Sequence, residues 1–345
     1  MNLSDLVAAA LPPPDVDLWA SSHEPTHLQG VGAAPGALGS RPVLQLSAMP
    51  TVINRADYAN AMAAGNPGGS LTALAAFRNL VDPIPGFSAL YAPGGQSTES
   101  AWIDFCNGAA VRDGSAFAQS ALANARRTNA AQQMADLTPT MTPWLPVYAT
   151  PSDWYAVTDD AFSPVTIDLS ARGQLTGPYA TPGGPNIDGP TPAWTTPQGS
   201  APLSPATRLK TLTFRALLVT LSRPWLNPAL LAMGDVYLGG QPAGFYSSGD
   251  IIKNDGVLPL LTTGFYLAVD VRLEADWAPA DQMRLSEAAA NRTPLAFEGF
   301  ALSDHEGGLS VDAPSTTAIT TATSSLCQIV AWTSALTPLC PQIAG

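Results

Sequence analysis

Charge is scarce in this chain. Asp, Glu, Lys and Arg make up 12% of its 345 residues, about half the usual share. Lysine is nearly missing, with Lys210 and Lys253 alone. The balance is acidic, at a formal net charge of −12. Phosphate contacts need Lys and Arg, so the composition excludes nucleic acid as a partner. It also argues against docking on an anionic membrane surface. The three histidines, His23, His27 and His305, are too few for a multi-His metal site. The three cysteines, Cys106, Cys327 and Cys340, are too few and too odd for a disulfide framework. A Cys327–Cys340 pair and buried free thiols both remain open. No apolar run approaches the length that a bilayer demands, so no membrane span is expected. The opening MNLSDLVAAALPPPD lacks a basic region and carries Asp5 inside its apolar run, which makes a poor secretory signal. The expectation is a cytoplasmic protein, with signal-independent export open.

What is present is apolar surface and punctuation. The apolar fraction is 46%, normal for a folded protein. Disorder needs low hydrophobicity with high charge, and neither holds. The 33 prolines and 29 glycines therefore punctuate a fold.

Residues 1–50 read as an irregular N-terminal arm, with one turn of helix at Leu3, Leu6 and Val7 before Pro12-Pro13-Pro14. Residues 51–136 read as helical. ADYANAMAAG and SLTALAAFRNLV are Ala-rich with apolar residues at helical spacing, parted by Gly65-Asn66-Pro67-Gly68-Gly69. Ser70 is the N-cap expected for the second. A third helix is expected from Ser97 or Thr98, with Glu99 in its first turn and Trp102, Phe105 and Cys106 on one face. FAQSALANARRTNAAQQMADL follows after Gly114. Residues 137–206 carry thirteen prolines interleaved with Trp144, Tyr148, Trp154, Tyr155 and Trp194. A flexible linker would lack those rings. This zone is expected to be an ordered connector with short edge strands such as VTIDL.

Residues 207–345 read as a β-rich domain. RLKTLTFRALLVTLSRP has a continuously apolar centre, Ala216-Leu217-Leu218-Val219, that asks for cover on both faces. VLPLLTTGFYLAVDVRLEADW is a second long strand, with Leu267, Val269, Val271 and Leu273 on one side by alternation. PLAFEGFALS and SLCQIVAWTSAL are two more. No long helical pattern separates these runs, which points to antiparallel pairing. The fold class expected is α+β, a helical N-terminal part followed by an antiparallel β-sandwich-like C-terminal part.

Catalytic signatures are weak. His23-Glu24-Pro25-Thr26-His27 matches H-E-x-x-H as a string. That motif works by placing both His on one helical face, and Pro25 forbids the helix. Asp250 to Gly256 lacks the alternating ligands of a calcium loop. There is no G-x-S-x-G and no P-loop, and Gly30 to Gly36 misses the dinucleotide pattern because Pro35 takes the third glycine's place. No cofactor or metal is expected. Asp304, His305 and Glu306 form the other site candidate: carboxylates beside a His make an acid/base pair, and the competing reading is a solvated turn. At the exit of the first long strand, Arg223, Pro224 and Trp225 read as a structural anchor, Pro224 ending the ladder and Trp225 folding back over the sheet.

The combination of Ser222-Arg223-Pro224-Trp225, Leu258-Pro259-Leu260, and Ile329-Val330-Ala331-Trp332 with Pro338-Leu339-Cys340-Pro341 resembles a group of uncharacterised microbial proteins. The likeness covers the C-terminal half and carries no known activity. It implies a β module with its own identity. With ionisable residues scarce, the function expected is non-enzymatic: a structural or assembly protein whose partners are copies of itself, as in a filament, shell or secreted particle. Interface cores are depleted in charge, which suits such a role. The alternative is an enzyme or small-ligand-binding protein with its site in the loops near Asp304–Glu306.

Overall fold

The apolar centre of the 208–222 run, Ala216 to Val219, cannot be solvated on either side, and the fold places it inside a sheet. The structure, a computed structural model, describes residues 3–12, 42–63, 65–133, 144–170, 177–182, 192–312 and 321–345. In chain order the first elements are α1 (Leu3–Ala10), β1 (Val43–Val52), a 3₁₀ turn (Arg55–Tyr58), α2 (Leu71–Val81), β2 (Pro83–Pro85), β3 (Leu90–Tyr91), β4 (Pro93–Ser97), α3 (Thr98–Gly108), β5 (Ala109–Val111) and α4 (Ala116–Gln132). Then come β6 (Tyr148–Thr150), a second 3₁₀ turn (Asp159–Ala161), β7 (Ser163–Asp168), β8 (Ala193–Thr196), β9 (Gly199–Pro202), β10 (Arg208–Ser222), α5 (Pro228–Leu231), β11 (Val236–Leu238) and β12 (Leu260–Asp276). The chain ends with α6 (Pro279–Asn291), β13 (Leu295–Phe297), β14 (Phe300–Ser303), β15 (Leu309–Asp312), β16 (Thr321–Ser324) and β17 (Gln328–Leu336).

Nine strands form the central sheet. β12 is its spine: antiparallel to β10 along its whole length on one side, and to β17 and then β16 on the other. β1 lies beyond β17, antiparallel, and β3 adds a short parallel edge. β6 and β7 pair in succession with the outer side of β10, and Pro164 sits on that edge, where its missing N–H costs nothing.

Both faces of the sheet are covered. One core gathers Phe265, Trp332, Leu217 and Val219 from the sheet with α2, α3, α4 and Trp225. The other gathers Tyr266, Ala268, Ala216 and Val330 with α1, α6 and the small sheet of β14, β13, β8 and β9. Continuous burial of β17, every residue of which is buried, follows from that two-sided packing.

The architecture corrects the fold class expected from sequence. Strand outweighs helix, 39% against 25%, and the six short α-helices are scattered along the chain rather than forming an N-terminal part ahead of a β-sandwich. β1, from the N-terminal half, is built into the central sheet between β17 and β3. The sheet is mixed, and no closed barrel forms among the described residues. Helix α6 divides the C-terminal strands. Its Pro279 sits at the first helical position, a standard start that the surrounding strand pattern obscured. ADYANAMAAG makes a 3₁₀ turn and irregular chain instead of an α-helix, and PLAFEGFALS is a hairpin of two strands, turning at Glu298 with φ 52°.

A smaller correction concerns β12. Leu267 and Val269 lie in the helix-covered core, whereas Val271 and Leu273 lie in the other. Asp270 has φ 54°, and the register with β10 shifts across it. One extra residue in a strand turns every later side chain to the opposite face.

Candidate functional site

The corner after β10 turns its side chains inward. Trp225 is 1% exposed, and its indole N–H donates to the carbonyl of Pro146 at 2.8 Å. Pro224 is exposed at the bend. The guanidinium of Arg223 is buried and donates to the carbonyls of Thr262 at 2.5 Å and Val81 at 2.7 Å. Val81 closes α2, so its carbonyl lacks a helical partner, and a cation there meets the negative end of the helix dipole. Burial pulls Arg223 down to about 10, while Asp82 and Tyr91 hold it up. It therefore stays charged at neutral pH and clamps α2 to β12.

Asp82 follows α2 and serves α3. Its carboxylate accepts from the Glu99 N–H at 3.1 Å and its carbonyl from the Thr98 N–H at 2.8 Å. Ser97 caps α3 through its hydroxyl, which accepts from Ser100 N–H at 3.1 Å. Glu99 is thereby pressed into the interior at 5% exposure. Arg78, on α2, brings a guanidinium nitrogen to 3.7 Å from Glu99 Oε2, an oxygen that has no hydrogen-bond donor among the described residues. Burial pushes the Glu99 carboxyl up to about 7, against the lowering effects of the Leu145 N–H and of Arg78, with Asp82 adding to the rise.

Arg78 also lies over the Trp144 ring, 5.6 Å from its centroid. Trp144 is 2% exposed, and among the described residues its indole N–H has no hydrogen-bond partner. Trp144 also lines a surface cleft of about 300 Å³. Three pieces of chain build it. Helix α2 contributes Leu74 and Phe77, the turn after β1 contributes Tyr58 and Asn60, and the segment 144–155 contributes Trp144, Tyr148, Trp154 and Tyr155. Trp154 is held rigidly, 5.0 Å from the Tyr58 ring and edge-on to Phe265 of the sheet at 5.5 Å. The Tyr155 hydroxyl donates to Asn60 at 3.4 Å. Asn60 has φ 49°, a conformation that Asn tolerates better than most residues. Its carbonyl passes so close to Gly69 that a Cβ there would sit 2.7 Å away, so this side of the cleft requires glycine. Among the described residues the lining carries no charged side chain.

The Asp304-His305-Glu306 segment is a tight exposed turn between β14 and β15. Asp304 accepts from the N–H groups of Glu306 at 2.8 Å and Gly307 at 2.9 Å, and His305 and Glu306 point to solvent. The turn is far from the cleft in sequence and contributes nothing to its lining. His23, Glu24 and His27 lie outside the described residues. Among the described residues no group of three His, Cys, Asp or Glu side chains could hold a metal ion. No helix among the described residues is long and apolar enough to cross a membrane. No disulfide joins Cys327 to Cys340, and burial pushes the Cys106 thiol up to about 11 and the Cys340 thiol up to about 12.

Sequence reasoning reached Trp225 but missed Glu99, Arg78 and the cleft. The one legible signal for the cleft was the crowding of rings in 144–155, read there as connector packing. Compared with protein-family models, with curated proteins and with solved structures, the chain finds no match.

Proposed function

We propose that this chain is a binding protein that holds a small uncharged ligand in the aromatic cleft. The observation that carries the reading is the lining itself: the rings of Tyr58, Phe77, Trp144, Tyr148, Trp154 and Tyr155 gather around one cleft, with no charged side chain among the described residues. The volume meets the lower end of small-ligand sites, about 300 Å³. The ligand site of the alternative drawn from sequence thus moves from the Asp304 turn to the cleft. Tryptophan fluorescence against a library of small fragments tests the reading, because Trp144 and Trp154 report on occupancy. Saturable changes that vanish in Tyr155→Ala support it, and a library without a single saturable binder refutes it.

Self-association as a structural or assembly subunit is the second reading, favoured by one feature of the sheet border. β3 pairs with β1 at Leu46 and Ser47 alone, and past that point Met49 and Val52 stand 64% and 38% exposed, with Leu90 of β3 at 41%. An open edge flanked by apolar side chains is a template for a second copy, although Pro50 limits how many donors it can offer. Light scattering across the micromolar range tests it: a mass above the 35.7 kDa monomer, reduced in Met49→Lys, supports association, and a constant monomer mass overturns it.

A further inference from the structure

The chemistry of the lining narrows the ligand class, and the narrower class rests on the binding reading above. We infer that the cleft takes a neutral saccharide, of the size of a mono- or disaccharide. Three features of the cleft lead there.

The first is the division between floor and rim. Trp144, Trp154 and Phe77 are almost fully buried and make an apolar floor. Tyr58 and Tyr155 are half-buried and Tyr148 is 37% exposed, so their ring faces are the ones a ligand can reach. A pyranose presents a flat face of C–H bonds that packs on such rings, and its partly positive hydrogens meet the negative face of the π-system. Rigid aromatic side chains lose little entropy in holding it.

The second is the rim's hydrogen-bonding set. Asn60, Asn66 and Ser152 bring amides and a hydroxyl to the lining, beside the tyrosine hydroxyls. Amides and hydroxyls both donate and accept, which matches sugar hydroxyls that do the same. A proline-rich peptide has few backbone donors and needs an extended groove, whereas this cleft holds about 300 Å³.

The third is charge. No Lys, Arg, Asp or Glu among the described residues lines the cleft, so an anionic or cationic ligand would lose hydration without gaining an ion pair. Burial and Asp57 together raise the Tyr58 hydroxyl above its ordinary range, which keeps it neutral. An aromatic cage for a quaternary ammonium is the competing chemistry. It requires ring faces turned to one centre, but here the rings pack on one another: Trp154 lies 5.0 Å from Tyr58, 6.3 Å from Phe77 and 6.3 Å from Tyr155.

The test titrates the full chain with neutral monosaccharides and disaccharides, with choline and with uncharged aromatic fragments, read by tryptophan fluorescence and ligand-observed NMR. The expected result is saturable binding of at least one sugar and none of choline. In Tyr155→Ala that affinity falls by about tenfold, the scale of one aromatic contact, while a cooperative melt shows that the variant still folds. Tyr148→Ala, at an exposed strand position, replaces it if the first variant fails to fold. Choline or an aromatic fragment that saturates while every sugar fails would overturn the saccharide class and leave the binding cleft standing. If no probe of any class binds, both fall. Sugar binding that persists unchanged in both variants places the site elsewhere and overturns the inference.

Discussion

Replacing Glu99 by Gln isolates the least usual electrostatic feature of the fold. The carboxyl is buried, lacks a hydrogen bond to Oε2 among the described residues, and is raised from 4.5 to about 7. The folded chain therefore holds its proton more tightly than the unfolded chain does. Below pH 4.5 the group is protonated in both states and costs nothing. Between 4.5 and 7 the unfolded chain ionises first, so stability falls as pH rises, and above 7 the loss is complete. At about 1.4 kcal/mol per pH unit the loss is at most about 3 kcal/mol. Gln keeps the shape and the acceptor for Leu145 while removing the ionisation. Urea melts of both proteins from pH 4.5 to 8 check this. The parent should lose stability across the window and Glu99→Gln should not, so that the variant is about 1–3 kcal/mol more stable at pH 8. Asp5 and Glu298 are also raised by burial and slope the same way, but they are common to both chains and cancel in the difference. Parallel curves would refute the reasoning. So would a variant less stable than the parent at pH 8, which would mean that the Arg78 ion pair outweighs burial.

Three further substitutions test the scaffold by thermal or urea melts. Trp225→Ala empties a fully buried site and frees the Pro146 carbonyl, with an expected loss of about 3–5 kcal/mol; a melt like the parent's would refute the burial argument. Arg223→Lys cannot reach the Val81 and Thr262 carbonyls together, because an ammonium lacks the planar fork; the expected loss is about 1–3 kcal/mol for the acceptor left buried, and no loss would show that one contact suffices. Asp281 is 2% exposed and accepts from Trp194 at 2.8 Å, Ser204 at 3.1 Å and Thr207 at 2.6 Å. Asp281→Ala should cost about 1–3 kcal/mol by leaving the buried Trp194 N–H and two half-buried donors unpaired, and an effect below about 1 kcal/mol would show that water replaces the carboxylate.

Local structure was legible where its signals are local. α3 begins at Thr98 after a Ser97 cap and buries Trp102, Phe105 and Cys106 on one face, and Ser70 caps α2 by accepting from Ala73 at 3.2 Å. The first four residues of VTIDL lie in β7 on the sheet edge, and the centre of β10 is covered on both faces. A cap is a short-range hydrogen bond, and a helical face is a matter of spacing. Glu99 was not legible, because a carboxylate in a first helical turn is ordinary chemistry for the dipole. What buries it are Arg78 and Leu145, contributed by other segments.

The residues themselves determined that this chain is acidic and folded, where several of its helices start, and that its two longest strands are buried. Those properties follow from composition and from periods of a few residues. Only the tertiary structure decided that α2, α3 and α4 cover one face of a sheet that β1 enters, that Asp270 turns β12 over, and that rings as far apart in the chain as Tyr58 and Tyr155 share one cleft. Each of these depends on which segments meet, and that choice is made by burying both faces of the sheet at once, a condition that no window of sequence contains.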